Sequence, residues 1–317
     1  MSKRGVVLGI DTSNYTTSLA IVTLDGELVG SIRRLLPVAE GECGLRQSDA
    51  LFAHTKNLSL VMSEAREYMY DYTPVAIGVS ERPRNIEGSY MPVFLSGISV
   101  ADSLSAMLSI PEYRFSHQSG HIMAALYSAG KFDLLDSTFP AFHISGGTTE
   151  LVRVSPAERE PRAEIVGGTL DLNAGQVIDR IGVRLGMPFP AGRYLDAEAK
   201  KYTGKIDRKK ISRRGMYVNL SGLENMAIKL YQDTSDAPRC AAFVFDYIAR
   251  AVVEMALAYK EEYGSSPFVL AGGVMCNSYI RDYVSSHIEA YFAEPRFSSD
   301  NAVGTAYLAR RQYLKQY

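Results

Sequence analysis

An α/β protein whose two halves repeat one order of strands and helices is what the sequence predicts. Three observations carry that expectation. Short apolar runs rich in β-branched residues alternate with stretches of helical periodicity. Each half opens on strand-like segments before its first helix. The length of 317 residues exceeds one small core and points to about two domains.

In the first half, Val6–Ile10 is a short apolar run and Thr17–Thr23 a second, with Asp25-Gly26 as a hairpin turn before Leu28–Ile32. Asp49–Tyr70 has helical character, with Leu51, Leu58, Val61, Met62 and Ala65 on roughly one face. Val75–Val79 reads as a buried strand, and a helix follows near Leu95–Leu108. Tyr113–Phe115 then leads into Ser116-His117-Gln118-Ser119-Gly120-His121. Three strands, helix, strand, helix, strand is the order of a ribonuclease H-like domain.

The second half takes up the same theme. Pro140–Ser145 is a strand ending in Gly146-Gly147, Glu150–Val154 a second, and Glu164–Val166 a third. Helices are expected over Asn173–Leu185, Tyr194–Tyr202, Leu223–Tyr231 and Arg239–Tyr263, then a buried strand Phe268–Ala271 and a helix Ser278–Ile288. A last helix, Ala302–Tyr313, is expected to return to the first domain. The fold expected is therefore a duplicated ribonuclease H-like one, with residues 1–116 and 302–317 in one domain and 117–301 in the other.

Composition narrows the function classes. The chain is 46% hydrophobic and 22% charged, with net charge −1, as in an ordinary soluble globular protein. No stretch approaches about 18 consecutive apolar residues, so no membrane span is expected. Met1-Ser2-Lys3-Arg4 runs straight into a strand rather than into a secretory signal. Cys43, Cys240 and Cys276 form no C-x-x-C pair and no disulfide framework, which fits a reducing cytoplasm. A near-neutral balance does not announce a nucleic-acid binder. Only the run Lys205, Arg208, Lys209, Lys210, Arg213, Arg214, opposed by Asp207 alone, has the charge to contact a phosphate backbone. Taken alone, such a run is more often a solvated loop.

His117 and His121 stand four residues apart, which places both imidazoles on one helix face. One helix can grip one metal ion in this way. On spacing alone, a metal clamp and a local capping role have equal standing. Imidazole-bound transition metals usually take a carboxylate as well, and Asp300 in Ser298-Ser299-Asp300-Asn301-Ala302 offers one.

Four segments put glycine or small hydroxyl residues where a strand gives way: Gly9–Ser13, Ser145–Thr149, Gly167–Asp171 and Ala271–Val274. Exposed amides at such turns and at helix N-termini bind phosphate. Asp171 and Asp196 are candidates to accept hydrogen bonds from ribose hydroxyls, and Asn277 to contact base or sugar. Any one of these stations is as readily a tight turn; four in a duplicated pattern are less easily dismissed. Neither a P-loop nor a G-x-G-x-x-G occurs.

Together these motifs resemble those of the Kae1/TsaD family of the actin-like ATPase (ASKHA) superfamily, which makes threonylcarbamoyladenosine in tRNA. The resemblance runs from Gly9 to Ala306 and rests on Gly9-Ile10-Asp11-Thr12-Ser13, His117-x-x-Gly120-His121, Ser145-Gly146-Gly147, Leu170-Asp171 with Ala174-Gly175 and Asp179, Leu220–Leu223, Ala271–Gly273 with Asn277, and Ser299-Asp300-Asn301. It implies two domains around a nucleotide cleft, with His117, His121 and Asp300 holding one divalent iron or zinc. It implies that Ser145, Gly146, Gly147, Asp171, Gly192, Asp196, Gly273 and Asn277 line a pocket for threonylcarbamoyl-AMP, ATP or ADP, and that Asp11, Ser13, His117 and His121 serve the reaction. The implied partners are tRNA held along the basic run, an enzyme that forms the adenylate, and a related ASKHA protein or a second copy, all in the cytoplasm.

The chain also departs from that pattern. Asn14-Tyr15-Thr16-Thr17 stands where the family carries Cys-Asp-Glu-Thr, and Ser80–Tyr90 is longer and more charged than the family's Gly-Pro-Gly-Leu element. Glu224 replaces a lysine, and Gln118-Ser119 the usual middle of the histidine motif. Two other readings therefore stand beside the first: a carbamoyltransferase for another acceptor, and a nucleotide-binding partner without catalysis.

Overall fold

The computed structural model describes residues 3–13, 15–37, 45–298 and 300–316; Asn14, Cys43 and Ser299 lie outside these. The chain divides into two compact units: Met1–Leu135 with Pro156–Ala163 and Ser299–Tyr317, and Asp136–Ser155 with Glu164–Ser298.

In the first unit, strands β1 (Arg4–Asp11), β2 (Thr16–Thr23) and β3 (Leu28–Leu35) form an antiparallel meander, with Leu8 opposite Ile21 and Leu19 opposite Ile32. Helix α1 (Gln47–Ala65) follows, then β4 (Tyr72–Arg82), helix α2 (Phe94–Leu108) and β5 (Glu112–Ser116). β4 pairs parallel to β1 and β5 parallel to β4, which gives the order β3-β2-β1-β4-β5. β1 and β2 are covered on both faces, so their sequences read as continuous apolar runs. α1 buries Ala50, His54, Leu58, Val61 and Ala65, one stripe at helical spacing. The helix expected to continue to Tyr70 tightens instead into a 3-10 turn over Arg66–Tyr70. Helix α3 (His117–Ala129) ends at Gly130, whose left-handed φ of 64° serves as its C-cap.

The last helix, Val303–Gln316, lies directly on this sheet and on α3. Glycines allow it. A Cβ on Gly9 would come within 2.5 Å of the Ala302 carbonyl, and one on Gly78 within 2.6 Å of the Thr305 carbonyl. A Cβ on Gly304 would lie 1.8 Å from the Gly120 carbonyl. This backbone contact draws α3 into the first unit, so the expected break before His117 falls after Leu135. Asp300 belongs to the first unit as well, rather than to the second as expected.

The second unit contains β6 (Phe139–Ile144), β7 (Thr149–Ser155), β8 (Arg162–Thr169, from Glu164 onward), helices α4 (Ala174–Arg184) and α5 (Gly192–Ala199), and the short strands β9 (Arg213–Arg214) and β10 (Tyr217–Val218). Helices α6 (Ser221–Thr234) and α7 (Ala237–Tyr263) follow, then β11 (Phe268–Ala271), α8 (Ser278–Ser285) and β12 (Ala290–Phe292). Its sheet runs β12-β11-β6-β7-β8-β10-β9. Read from β8 to β12, five strands repeat the order of the first sheet, with β6 antiparallel to β7 and parallel to β11. The duplication expected from sequence is thus present in the strand order. α7 is buried along most of its length, and Phe142 stacks on Phe268 with centroids 5.8 Å apart. Strands of two or three residues carry no period, which is why β9, β10 and β12 were not legible in the sequence. Among the described residues no helix is long and apolar enough to cross a membrane.

Gly304→Ala is expected to destabilise the protein by about 3 kcal/mol, because the added methyl has only backbone to displace. Gly222→Ala, where a Cβ meets nothing within 4 Å, is expected to leave stability unchanged or raise it by up to about 1 kcal/mol. Urea midpoints of the two variants check this.

Candidate metal centre and pocket

Ser116 is the N-cap of α3 and accepts a hydrogen bond from the Ser119 amide. The histidines are therefore not its caps. His117 opens the first turn and His121 the second on the same face, with ring centroids 4.3 Å apart. Asp300 arrives just ahead of the last helix. Its Oδ1 stands 3.5 Å from His117 Nε2 and 3.3 Å from His121 Nε2. One ligand atom from each of the three lies within 4.8 Å of the others. Tetrahedral donors around a metal at about 2.1 Å stand about 3.4 Å apart, so the separations fit one cation.

Asp11 completes the arrangement. Its Oδ2 lies 3.2 Å from His117 Nδ1 and accepts a 2.7 Å hydrogen bond from Ser13 Oγ. A carboxylate at Nδ1 fixes the tautomer that turns Nε2 toward Asp300 and a metal. Asp11 Oδ1 is buried with no hydrogen-bond partner among the described residues. The donor set of two imidazoles and a carboxylate suits zinc or ferrous iron.

Burial disfavours a charged His117 ring, but Asp11 and then Asp300 outweigh it and push the ring up to about 10. Burial also opposes the charged form of Asp300, yet hydrogen bonds from His117 and His121 hold it well below the usual carboxylate range. Asp11 is lowered too: its burial is overcome by the charge and hydrogen bond of His117.

The second unit holds a cavity of about 630 Å³ lined by Gly146, Asp179, Gly192, Asp196, Gly273 and Asn277, with Gly175, Ile178, Pro190, Arg193, Phe245, Val274 and Cys276. That size suits a small-molecule ligand. α4 starts hard against the turn after β6: a Cβ on Gly175 would come within 2.6 Å of the Gly146 amide nitrogen. Asn277, the N-cap of α8, accepts from the Ile280 amide and donates to Asp196 Oδ1 at 2.6 Å. Asp179 accepts from the Ala191 amide at 2.7 Å. Burial raises its carboxyl, against the opposing hydrogen bonds from Ala191 and Gly192.

The four glycine stations divide into two kinds. A Cβ on Gly146 or Gly273 would meet nothing within 4 Å, so these glycines face open space in the cavity. Gly9 packs under the last helix, and a Cβ on Gly167 would come within 2.5 Å of the Met216 carbonyl in the adjoining chain segment. Those two serve packing. Asp171 also departs from expectation: its carboxylate accepts from the Leu220 amide at 2.7 Å and from Ser221 Oγ at 2.6 Å, fastening the start of α6, and it is not among the residues lining the cavity. Ser145 and Gly147 are not among them either; Ser145 gives its amide to Thr148 and its carbonyl to Gly175 in the turn. Asp179, Arg193 and Phe245 line the cavity without having been singled out as ligand contacts. The spacing of Gly175, Ile178 and Asp179 on one face of α4 was the signal available for the first of them.

The basic run is partly structural. Arg208 pairs with the fully buried Asp246 at 3.2 Å, Arg213 with Glu254 at 3.0 Å, and Lys209 with Asp207 at 2.6 Å. Lys205, Lys210 and Arg214 are exposed and have no ion pair among the described residues.

The family profile of TsaD, tRNA N6-adenosine threonylcarbamoyltransferase, matches residues 52–307. A tRNA N6-adenosine threonylcarbamoyltransferase of Streptococcus suis is 30% identical over 337 residues, covering 100% of this chain and 95% of that one. Among solved structures, full-length HypF in its phosphate- and nucleotide-bound form superposes with a TM-score of 0.64 at 11% identity, over 100% of this chain and 48% of HypF. This chain thus spans about half the length of HypF. A ROK family glucokinase from Streptomyces griseus, solved with glucose and AMPPNP, superposes with a TM-score of 0.53 at 13% identity over 97% of this chain and 100% of its own. These two likenesses show the fold alone: two α/β units that repeat one strand order.

A divalent cation entering beside His117 must displace the proton that the ring holds up to about 10. Metal affinity is therefore expected to rise about tenfold per pH unit between about pH 6 and about pH 8, with proton release, as chelator competition will show. Gly146→Ala and Gly273→Ala are expected to keep the wild-type melting temperature and to weaken ADP binding at least about tenfold, one misfitting contact being worth about 1.4 kcal/mol. Calorimetric titration reads the affinity.

Proposed function

Since the chain belongs to the TsaD family of tRNA N6-adenosine threonylcarbamoyltransferases, we propose that it carries out that transfer from threonylcarbamoyl-adenylate held in the cavity of the second unit. The observation that carries the reading is the meeting of His117, His121 and Asp300, far apart in sequence, within 4.8 Å.

The transfer needs three things from the chain. The adenylate must be held: Asp196 and Asn277 accept and donate toward ribose hydroxyls, Asp179 adds a third polar group, and the bare backbones of Gly146 and Gly273 admit the phosphate. The acyl carbon must be made electrophilic. A cation held by His117, His121 and Asp300 would supply Lewis-acid polarisation of an acyl oxygen. The reacting N6 must then lose a proton as its bond to the acyl carbon forms and the bond from that carbon to the adenylate phosphate oxygen breaks, releasing AMP. Asp11 keeps His117 in the tautomer and orientation that the site requires. Ser13 in turn holds Asp11.

The metal is iron or zinc and the resting nucleotide ATP or ADP. Lys205, Lys210 and Arg214 contribute to tRNA phosphate contact, and the acyl donor comes from a separate adenylate-forming enzyme in the cytoplasm. A related ASKHA protein or a second copy of the chain is the proposed assembly partner.

One observation favours a second reading. The segment that carries acidic residues in the family has none here, and Thr17 within it is buried and committed to His54 Nδ1 at 2.8 Å. Such a centre suits the same adenylate chemistry on a different acceptor.

With tRNA, threonine, bicarbonate, ATP and an adenylate-forming enzyme, the protein is expected to form N6-threonylcarbamoyladenosine, detected by mass spectrometry of digested tRNA. His121→Ala is expected to slow this on the order of 10²-fold. Adenylate consumption without modified adenosine would favour the other acceptor, and no consumption a partner without catalysis. Lys210→Ala and Arg214→Ala are each expected to lower the salt dependence of tRNA binding by about one in log–log slope. Arg208→Ala is expected to destabilise the fold, because it strips a partner from buried Asp246.

A further inference from the structure

α3 presents the positive end of its dipole at the turn that begins with His117, so a divalent cation bound there works against the helix. The middle of the histidine motif brings no compensating charge, since Gln118 and Ser119 are neutral. The carboxylates at this turn come from elsewhere in the chain: Asp11 and Asp300 on the His117 ring, and Glu160 on Ser116. Glu160 lies in the connection between β7 and β8, within the short stretch Pro156–Ala163 that belongs to the first unit although both of its flanks belong to the second. Only 2% of it is exposed.

Its contacts converge on the residue before His117. Glu160 Oε2 accepts from the Ser116 amide at 2.8 Å and from Ser116 Oγ at 3.0 Å. Ser116 Oγ in turn accepts from the Ser119 amide at 3.2 Å, and Ser119 Oγ donates to the Pro161 carbonyl at 3.3 Å. Glu160 Oε1 accepts from Arg82 at 2.8 Å, and Arg82 also donates to Asn85. The Gln118 amide donates to the Pro83 carbonyl at 3.0 Å. Segments 82–85 and 160–161 therefore clamp one helical turn, and no residue of that clamp belongs to the metal triad.

We propose that Glu160 is a positioning residue of the metal centre: held by Arg82, it fixes the first turn of α3 and thereby the orientation in which His117 and His121 meet a divalent cation. A turn fixed by buried hydrogen bonds holds its side chains in one orientation, and groups that orient metal ligands commonly alter metal affinity by roughly tenfold to hundredfold. The charged segment Ser80–Tyr90, which the sequence set apart, then has a use: its Arg82 and Asn85 hold Glu160 from the other side.

Because this holds only if the triad binds metal, the test carries its own control. The full-length protein would be titrated with cobalt(II), following the visible absorption bands of the bound ion, for wild type, Glu160→Gln, Glu160→Ala and His121→Ala. Glu160→Gln keeps one acceptor and turns the other into a donor that must face Arg82 or the Ser116 amide, which loosens the clamp; it is expected to bind cobalt roughly ten to a hundred times more weakly. Glu160→Ala is expected to shift the band positions as well, since the ligands lose their fixed orientation. ADP affinity, which reads the second unit, is expected to stay at the wild-type value in both. Cobalt affinity and bands unchanged in folded Glu160→Gln would overturn the proposal, whether or not Glu160→Ala folds. Cobalt binding unchanged in His121→Ala would overturn the metal reading itself, and the role of Glu160 with it.

Discussion

Two glycines, Gly120 in α3 and Gly304 in the last helix, meet with no side chain between them. The Gly120 carbonyl occupies the space that a methyl on Gly304 would need. Everything proposed for the metal centre depends on this approach, because it brings residue 300, remote in sequence, to the first turn of α3. Gly9 and Gly78 do the same on the sheet side, where the helix backbone comes down onto β1 and β4. A protein interior transmits such contacts with little give, so the separations of Asp300 from the two imidazoles are set by packing well away from the site.

The centre that results concentrates charge in a buried place. His117 lies between Asp11 on one ring nitrogen and Asp300 on the other. Without a cation, a proton on His117 is what balances them, which is why the ring is held so far above its ordinary value. Metal and proton thus compete for the same nitrogen. The second unit uses a different principle. Its cavity combines the polar side chains of Asp179, Asp196 and Asn277 with glycines that face open volume, a lining that suits a small-molecule ligand.

Much of this was legible in the sequence. Continuous apolar runs marked the buried strands β1, β6 and β11, helical spacing marked α1, α2 and α7, and the strand order repeats as the two halves promised. The pairing of His117 with His121 followed from helical periodicity alone. What could not be read is what depends on distant contacts. Gly9 and Gly146 look alike in sequence, yet one is a floor under a helix and the other faces a cavity. Asp171 reads as a ligand carboxylate and is in fact a helix fastening. Arg208 and Arg213 read as a phosphate-binding run and are half consumed by Asp246 and Glu254. Glu160 carried no signal at all, because its meaning lies in Ser116, which is distant in sequence. The boundary before His117 failed for a related reason: a helix joins the unit it packs against, and that partner comes at the far end of the chain.

X-ray absorption at the edge of the metal that the purified protein carries tests the central claim most directly. The geometry predicts a first shell of nitrogen and oxygen donors at about 2.0–2.2 Å, with the outer-shell scattering of two imidazole rings. A shell of water oxygens without imidazole scattering, or one containing sulfur, would contradict it.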